Sequence, residues 1–327
     1  MAACRRFLLS RRFLRLLGFL AVTFPIMLSL QQMDMTQQRT EKMHRTQNLR
    51  KQLLIETCDG DREAFSDGKH SLDDMSYKEL DNFIVDDARG IIYCYIPKVA
   101  CTNWKRVMFV LNHDKLDLDL TSLSHYFIHN TAKFTLLSSF SRAEIRAKLK
   151  HYTKFLFVRD PFVRLISAYR DKFQKYNKHY YKNVAQVILR RYGNVSHLPH
   201  TAAEAFASGV RPSFYNFIQY LLDPQTQKQP FDPHWKQMHR LCQPCLIQYD
   251  FVGHQETLQE DADLLLKILK LESDIKFPPA YDNATTTGSV WGWFKTVPIE
   301  DRRRLYKLYE GDFRLFGYRK PVELLDA

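Results

Sequence analysis

Ile91-Ile92-Tyr93-Cys94-Tyr95-Ile96-Pro97-Lys98-Val99-Ala100-Cys101-Thr102-Asn103-Trp104-Lys105 is the stretch on which the fold turns. Its first six residues form a continuous apolar, β-prone run closed by a proline, the pattern of a strand buried on both faces in a parallel sheet. From Trp104 the period changes. Trp104, Val107, Met108 and Leu111 recur at i, i+3, i+4 and i+7, which predicts a helix with one apolar stripe, and Thr102 or Asn103 is placed to cap it. A second unit of the same kind follows. Phe155-Leu156-Phe157-Val158 reads as a buried strand ended by Arg159-Asp160-Pro161, proline suits a first helical position, and Phe162, Leu165, Ile166, Tyr169 and Phe173 mark one helical face. Further helices are predicted over 214–222, 256–271 and 299–310, with a short strand at Tyr249-Asp250-Phe251-Val252. Strands alternating with helices predict an α/β fold, a mainly parallel sheet flanked by helices.

In such sheets ligands sit beyond the carboxyl ends of the strands, and both strand-to-helix turns here carry basic and polar residues. The first, Pro97 to Asn103, can aim backbone N–H groups and a helix N-terminus at an anion, with Lys98 adding a full charge and Thr102 a hydroxyl. This is the logic of a P-loop without its sequence. The pattern GxxxxGK[ST] is absent and no glycine lies between Ile91 and Asn112, which argues against an ATPase or kinase.

Outside these units the chain of 327 residues divides by composition. Residues 1–12 read as a cytoplasmic tail, 13–30 as a transmembrane signal-anchor, 31–85 as a polar stem and 86–327 as one globular catalytic domain. The run from Leu16 to Leu30 is uncharged, and begun at Phe13, with Arg15 snorkelling, it is long enough for about 27 Å of bilayer. Arg5, Arg6, Arg11, Arg12 and Arg15 precede its uncharged part while Gln31, Gln32 and Asp34 follow it, so the positive-inside rule predicts type II topology with the domain in the lumen. No small-x-small pattern near Leu30 marks a cleaved signal peptide. Hydrophobic residues at 45% and 23 Phe with 17 Tyr exclude a wholly disordered chain. The formal charge of +12 falls to about +7 without the five leading arginines, a surplus that suits any polyanion. Of six cysteines, Cys58, Cys242 and Cys245 are candidates for a structural disulfide with partners left open, and Cys94 and Cys101 read as packing residues. Cys242-Gln243-Pro244-Cys245 lacks a second CxxC or a His pair, so no metal site is expected. Asn194-Val195-Ser196 and Asn283-Ala284-Thr285 are glycosylation sequons, at Asn194 and Asn283, in keeping with a lumenal domain.

The strand followed by Pro97-Lys98-Val99-Ala100-Cys101-Thr102-Asn103 resembles the 5′-phosphosulfate-binding loop of the Golgi carbohydrate sulfotransferases, whose donor is 3′-phosphoadenylyl sulfate (PAPS). The run Phe155 to Tyr169, FLFVRDPFVRLISAY, resembles their 3′-phosphate motif. The resemblance implies a sulfotransferase fold and donor contacts from those seven residues and from Arg159, Asp160, Pro161, Phe162, Val163, Arg164, Leu165, Ile166 and Ser167, with Arg159 and Ser167 on the 3′-phosphate. It continues through Phe231-Asp232-Pro233-His234-Trp235, Leu241 to Cys245, Tyr249 to Gly253 and Leu305 to Tyr309. Within the family the chain is most similar to the chondroitin and dermatan 4-O-sulfotransferases, which implies sulfation of the 4-hydroxyl of N-acetylgalactosamine in chondroitin or dermatan.

Sulfuryl transfer needs an in-line donor, a base for the acceptor hydroxyl and positive charge at the departing phosphate oxygen. Lys98 suits the last role. For the base the sequence offers His129, between the two motifs where relatives place a basic residue on an intervening strand, and His234 of the Asp-Pro-His-Trp segment, with another His or carboxylate also open. Acceptor contacts are expected from the basic stretch Arg164 to Arg191, with Arg170, Lys172, Lys175, Lys178 and Lys182, and from Arg302-Arg303-Arg304. Transfer to terminal N-acetylgalactosamine on glycoproteins and a non-catalytic, membrane-tethered glycosaminoglycan binder are the alternatives. A nucleic-acid partner conflicts with the anchor and has no reader motif.

Overall fold

A computed structural model of the chain describes residues 11–66, 68–195, 197–279, 288 and 290–326, with side chains from residue 31 onward and at Met27. The chain falls into two units, Met1–Thr46 and Gln47–Ala327. Helix α1 runs over Arg11–Gly60. The side chains of the expected anchor, other than Met27, lie outside the described residues, and among the described residues no helix is long and apolar enough to cross a membrane.

The second unit starts well inside the range expected as stem. Leu54, Cys58, Phe65, Met75 and Leu80 are all buried, so from Gln47 onward that range contributes to the core. Its polar composition hides them, because five apolar side chains scattered over some thirty residues set up no period.

Four strands make one sheet in the order β1 (Phe83–Asp86), β2 (Ile91–Cys94), β3 (Thr153–Val158), β4 (Phe251–His254). β2 pairs with β3 in parallel with Tyr93 opposite Phe155, β3 with β4 in parallel with Phe155 opposite Phe251, and β1 antiparallel to β2. The sheet is thus mixed. Its three parallel strands end side by side, bringing the turns after β2 and β3 together. At Gly253 a Cβ would stand 2.2 Å from the Phe157 ring, so only glycine lets β4 lie this close to its neighbour's side chain.

After β2 comes α2 (Cys101–Asn112), and after β3 comes α3 (Pro161–Lys172). Trp104, fully buried, pins α2 by meeting Phe155, Phe157 and Phe277 with ring centroids 4.8–4.9 Å apart. Such packing adds about 0.5–1.5 kcal/mol per pair beyond area burial. Phe162, Leu165, Ile166, Tyr169 and Phe173 form the apolar face of α3 and its continuation, against Phe217 of α4 (Phe214–Leu222) and Phe313 of α6 (Ile299–Leu315), while α5 spans Leu258–Ile268.

Three expectations are corrected. Neither Thr102 nor Asn103 caps α2: the N-cap is Ala100, without a side-chain bond. Cys94 is no mere packing residue. It is bonded to Cys242, and Cys58 to Cys245, which among the described residues leaves Cys101 buried and unpaired. Both halves of the Cys242/Cys245 pair therefore reach across long chain separations, one to the end of β2 and one to α1. Of the arginines expected to touch the acceptor, Arg302 is buried and bonds the carbonyls of Val297 and Leu324, while Arg303 and Arg304 stay exposed, bonded to the carbonyls of Leu325 and Leu222 and to Glu300 and Asp301.

Candidate active site

The turn after β2 is held in an unusual conformation. Lys98 and Ala100 adopt left-handed φ values of 74° and 60°, which for residues with a Cβ costs roughly 1–2 kcal/mol each. The sequence thus reaches a P-loop-like curl without the glycines that normally permit it. Two arginines from the next turn hold it there. Arg164, 1% exposed, donates from Nε to the Pro97 carbonyl at 3.0 Å and from its two terminal nitrogens to the carbonyls of Lys236 and Pro233 at 2.7 Å each. Arg159, also buried, donates to the Lys98 carbonyl at 3.1 Å.

With no capping side chain, the first N–H groups of α2 keep the open, positively polarised end that a helix offers to anions. α3 differs: the Asp160 carboxylate accepts from the N–H groups of Phe162 and Val163 at 2.9 and 3.0 Å. Phe162, Val163, Leu165 and Ile166 point into the core. Of the segment Arg159 to Ser167, the side chains that stay polar and turn outward are therefore few, and half-buried Ser167 is one. Asn103 likewise is buried and accepts from Arg106 at 3.0 Å, which makes it a strut of α2.

The Lys98 ammonium lies 3.0 Å from the Asp171 carboxylate at the end of α3, and the same oxygen takes Lys172 at 3.1 Å. Burial lowers the Lys98 pKa and Asp171 opposes that shift. Burial alone would raise the Asp171 carboxyl, but the two lysines outweigh it and hold it far below the usual carboxylate range. Asp171 was not among the expected residues. Nothing in a lone acidic residue on a basic helix signals that it will meet a lysine some seventy positions earlier.

Both base candidates converge on this cluster. His129 stands on a π-helical turn, Phe127–Thr131, instead of the expected strand, and its Nε2 bonds the Thr102 hydroxyl at 3.0 Å. Desolvation, then the charge of Lys105 and the neighbouring His125 ring at 4.4 Å, push its pKa down to about 3, so it is neutral. His234 is oriented differently. Its Nδ1 faces the Asp232 carboxylate at 2.7 Å, and the Tyr180 hydroxyl lies 2.9 Å from both His234 Nδ1 and the second Asp232 oxygen. A carboxylate against Nδ1 fixes the proton there and leaves Nε2 as the basic atom. Burial lowers the His234 pKa, with Asp232 opposing and Lys172 and Lys98 adding to the depression. The arrangement can hold an anion at Lys98 and the open end of α2, and accept a proton nearby. Among the described residues no cluster of His, Cys, Asp or Glu is placed to hold a metal.

Of the sequons, Asn194 is exposed, while Ser196 and Asn283 lie outside the described residues.

Comparison with known proteins agrees with this geometry. Residues 81–319 match the family described as the sulfotransferase family. The chain is 50% identical over 295 residues to carbohydrate sulfotransferase 12 of Xenopus laevis, covering 86% of this chain and 70% of that protein. It is 40% identical over 250 residues to carbohydrate sulfotransferase 11 of Rattus norvegicus, 76% and 70% of the respective chains, and 34% identical over 288 residues to carbohydrate sulfotransferase 8 of Homo sapiens, 86% and 65%. No solved structure matches the chain.

Proposed function

Since the chain belongs to the sulfotransferase family, on its carbohydrate branch, we propose that it transfers a sulfuryl group from PAPS to the 4-hydroxyl of N-acetylgalactosamine in chondroitin, with dermatan as a related acceptor. The observation that carries the reading is the Lys98 ammonium beside the uncapped start of α2, with the Asp232–His234 pair in the same cluster. Lys98 and the first N–H groups of α2 hold the 5′-phosphosulfate, and Arg159 and Ser167 hold the 3′-phosphate. Arg164, Asp160 and Asn103 position the two turns without touching the donor. His234 Nε2 takes the proton from the acceptor hydroxyl as that oxygen bonds to sulfur. The bond from sulfur to the phosphate oxygen breaks, and Lys98 meets the charge left there. His129 orients Thr102 at the mouth of the loop.

The anchor over 13–30 places the domain in the Golgi lumen as a single-pass type II protein, a setting in which the Cys58–Cys245 and Cys94–Cys242 disulfides persist. The stem is the exposed part of 31–46. Glycosylation at Asn194 and Asn283 accords with that side of the membrane. What supports the 4-O-chondroitin specificity is the motif resemblance across the domain, and not a single named residue. The test is disaccharide analysis of chondroitin after incubation with the chain and PAPS and digestion by a lyase. Disaccharide sulfated at the 4-position of N-acetylgalactosamine is expected. Sulfate at the 6-position, or only on terminal N-acetylgalactosamine of glycoproteins, overturns the acceptor, and donor binding without transfer to any glycan overturns the catalysis.

A further inference from the structure

α3 ends at Lys172, and the chain then runs through Phe173 to Asn177 along one wall of a groove whose other wall is residues 202–212. Neither donor binding nor proton transfer uses this groove. Lys172, Lys175 and Arg211 line it, and no acidic residue does. Lys175 and Arg211 are exposed and, among the described residues, stand in no ion pair. Between the basic positions two aromatic rings face each other in the open: Tyr176 is 54% and Phe206 53% exposed, with centroids 6.0 Å apart in an edge-to-face arrangement. Apolar rings left in water beside a charged rim mark a contact surface more often than a packing accident.

The walls are anchored. Tyr169, on α3, donates its hydroxyl to the Pro212 carbonyl at 2.9 Å, and buried Tyr181 donates to the Pro199 carbonyl at 2.6 Å. Lys172 joins groove and site, since its ammonium shares the Asp171 oxygen with Lys98. A polymer whose reacting sugar sits at Lys98 and His234 therefore has, beyond Lys172, a groove that offers exposed basic residues and two exposed aromatic rings.

We propose that this groove is an extended acceptor subsite for the flanking sugars of an acidic polysaccharide, with Lys175 and Arg211 pairing to carboxylates of the chain and Tyr176 and Phe206 stacking on sugar faces. The inference rests on the carbohydrate sulfotransfer reading and deepens it: the acceptor is recognised as a polymer with acidic sugars on either side of the target, not as a lone terminal sugar. Arginine and lysine on carboxylates supply charge-assisted bonds that salt weakens, whereas the ring contacts are insensitive to salt.

The test compares the full-length chain with the Lys175→Ser/Arg211→Ser and Tyr176→Ala/Phe206→Ala double variants on two acceptors, chondroitin and a simple N-acetylgalactosaminide lacking uronate. For chondroitin the charge variant is expected to raise KM roughly tenfold, with kcat and the KM for PAPS unchanged and with a shallower dependence of KM on salt. The aromatic variant is expected to raise KM with the salt dependence retained. The monosaccharide should behave alike with all three proteins, and unfolding midpoints should coincide because all four side chains are exposed. A wild-type chain that acts on chondroitin, beside a charge variant with unchanged KM or with equal losses on both acceptors, overturns the groove alone. A wild-type chain that sulfates the monosaccharide and not chondroitin overturns the acceptor reading and the groove with it.

Discussion

The turns after β2 and β3 leave adjacent strands for adjacent helices, yet they use their polar groups in opposite ways. After β3, Asp160 closes the start of α3, and Arg159 and Arg164 reach back to backbone carbonyls. After β2, no side chain closes α2, two residues take left-handed φ, and Lys98 directs its charge toward the cluster formed with Asp171 and Lys172. The second turn is a brace and the first is what it braces. Strain in the first turn persists because Arg159 and Arg164 of the neighbouring turn bond its carbonyls and over-determine it.

The comparison breaks first at Arg164. Arg164→Ala leaves the buried Pro97 carbonyl and the part-buried carbonyls of Lys236 and Pro233 without their donor and is expected to cost about 3–5 kcal/mol, read as a drop in unfolding midpoint together with loss of transfer. A stable variant that has lost only catalysis would make Arg164 a donor contact, and the two turns would then be alike. The Cys94–Cys242 bond supports the first turn from behind, three residues before Pro97. Replacing both cysteines with alanine is expected to cost about 2–4 kcal/mol, measured by denaturant unfolding against the untouched Cys58–Cys245 bond.

A smaller effect separates the two histidines. A base must be neutral to work, so kcat/KM is expected to fall on the acid side of pH 6.5 as His234, with its depressed pKa, becomes protonated. Asp232 raises that pKa, so Asp232→Asn should move the acid limb to lower pH and reduce the rate about tenfold through loss of ring orientation. His129→Ala should leave the limb in place. The limb following His129 instead would transfer the base role to it.

Much of this scaffold is written locally in the chain. β2 and β3 are legible because strands buried on both faces need continuous apolar runs, and α3 because Asp160-Pro161 is a chemical start signal that the helix then uses. α4 falls over 214–222 as its apolar spacing predicts. The misreadings share a cause, which is dependence on distant partners. Cys94 looks like packing until Cys242 arrives 148 residues later, and nothing local to Arg164 announces its bonds to the carbonyls of Pro97, Pro233 and Lys236. Thr102 and Asn103 have capping side chains, but the left-handed Ala100 moves the cap upstream and frees Thr102 for His129. The meeting of His129 with Thr102, and of Lys98 with Asp171, exists only in three dimensions.

The central claim is that the turn after β2 carries the chemistry through Lys98. The full-length chain, incubated with PAPS bearing radiolabelled sulfate and with chondroitin, should place label in the polysaccharide, and Lys98→Ala should lower kcat about 10²–10³-fold while unfolding at the same midpoint. Label appearing in chondroitin at the wild-type rate with Lys98→Ala would contradict the account.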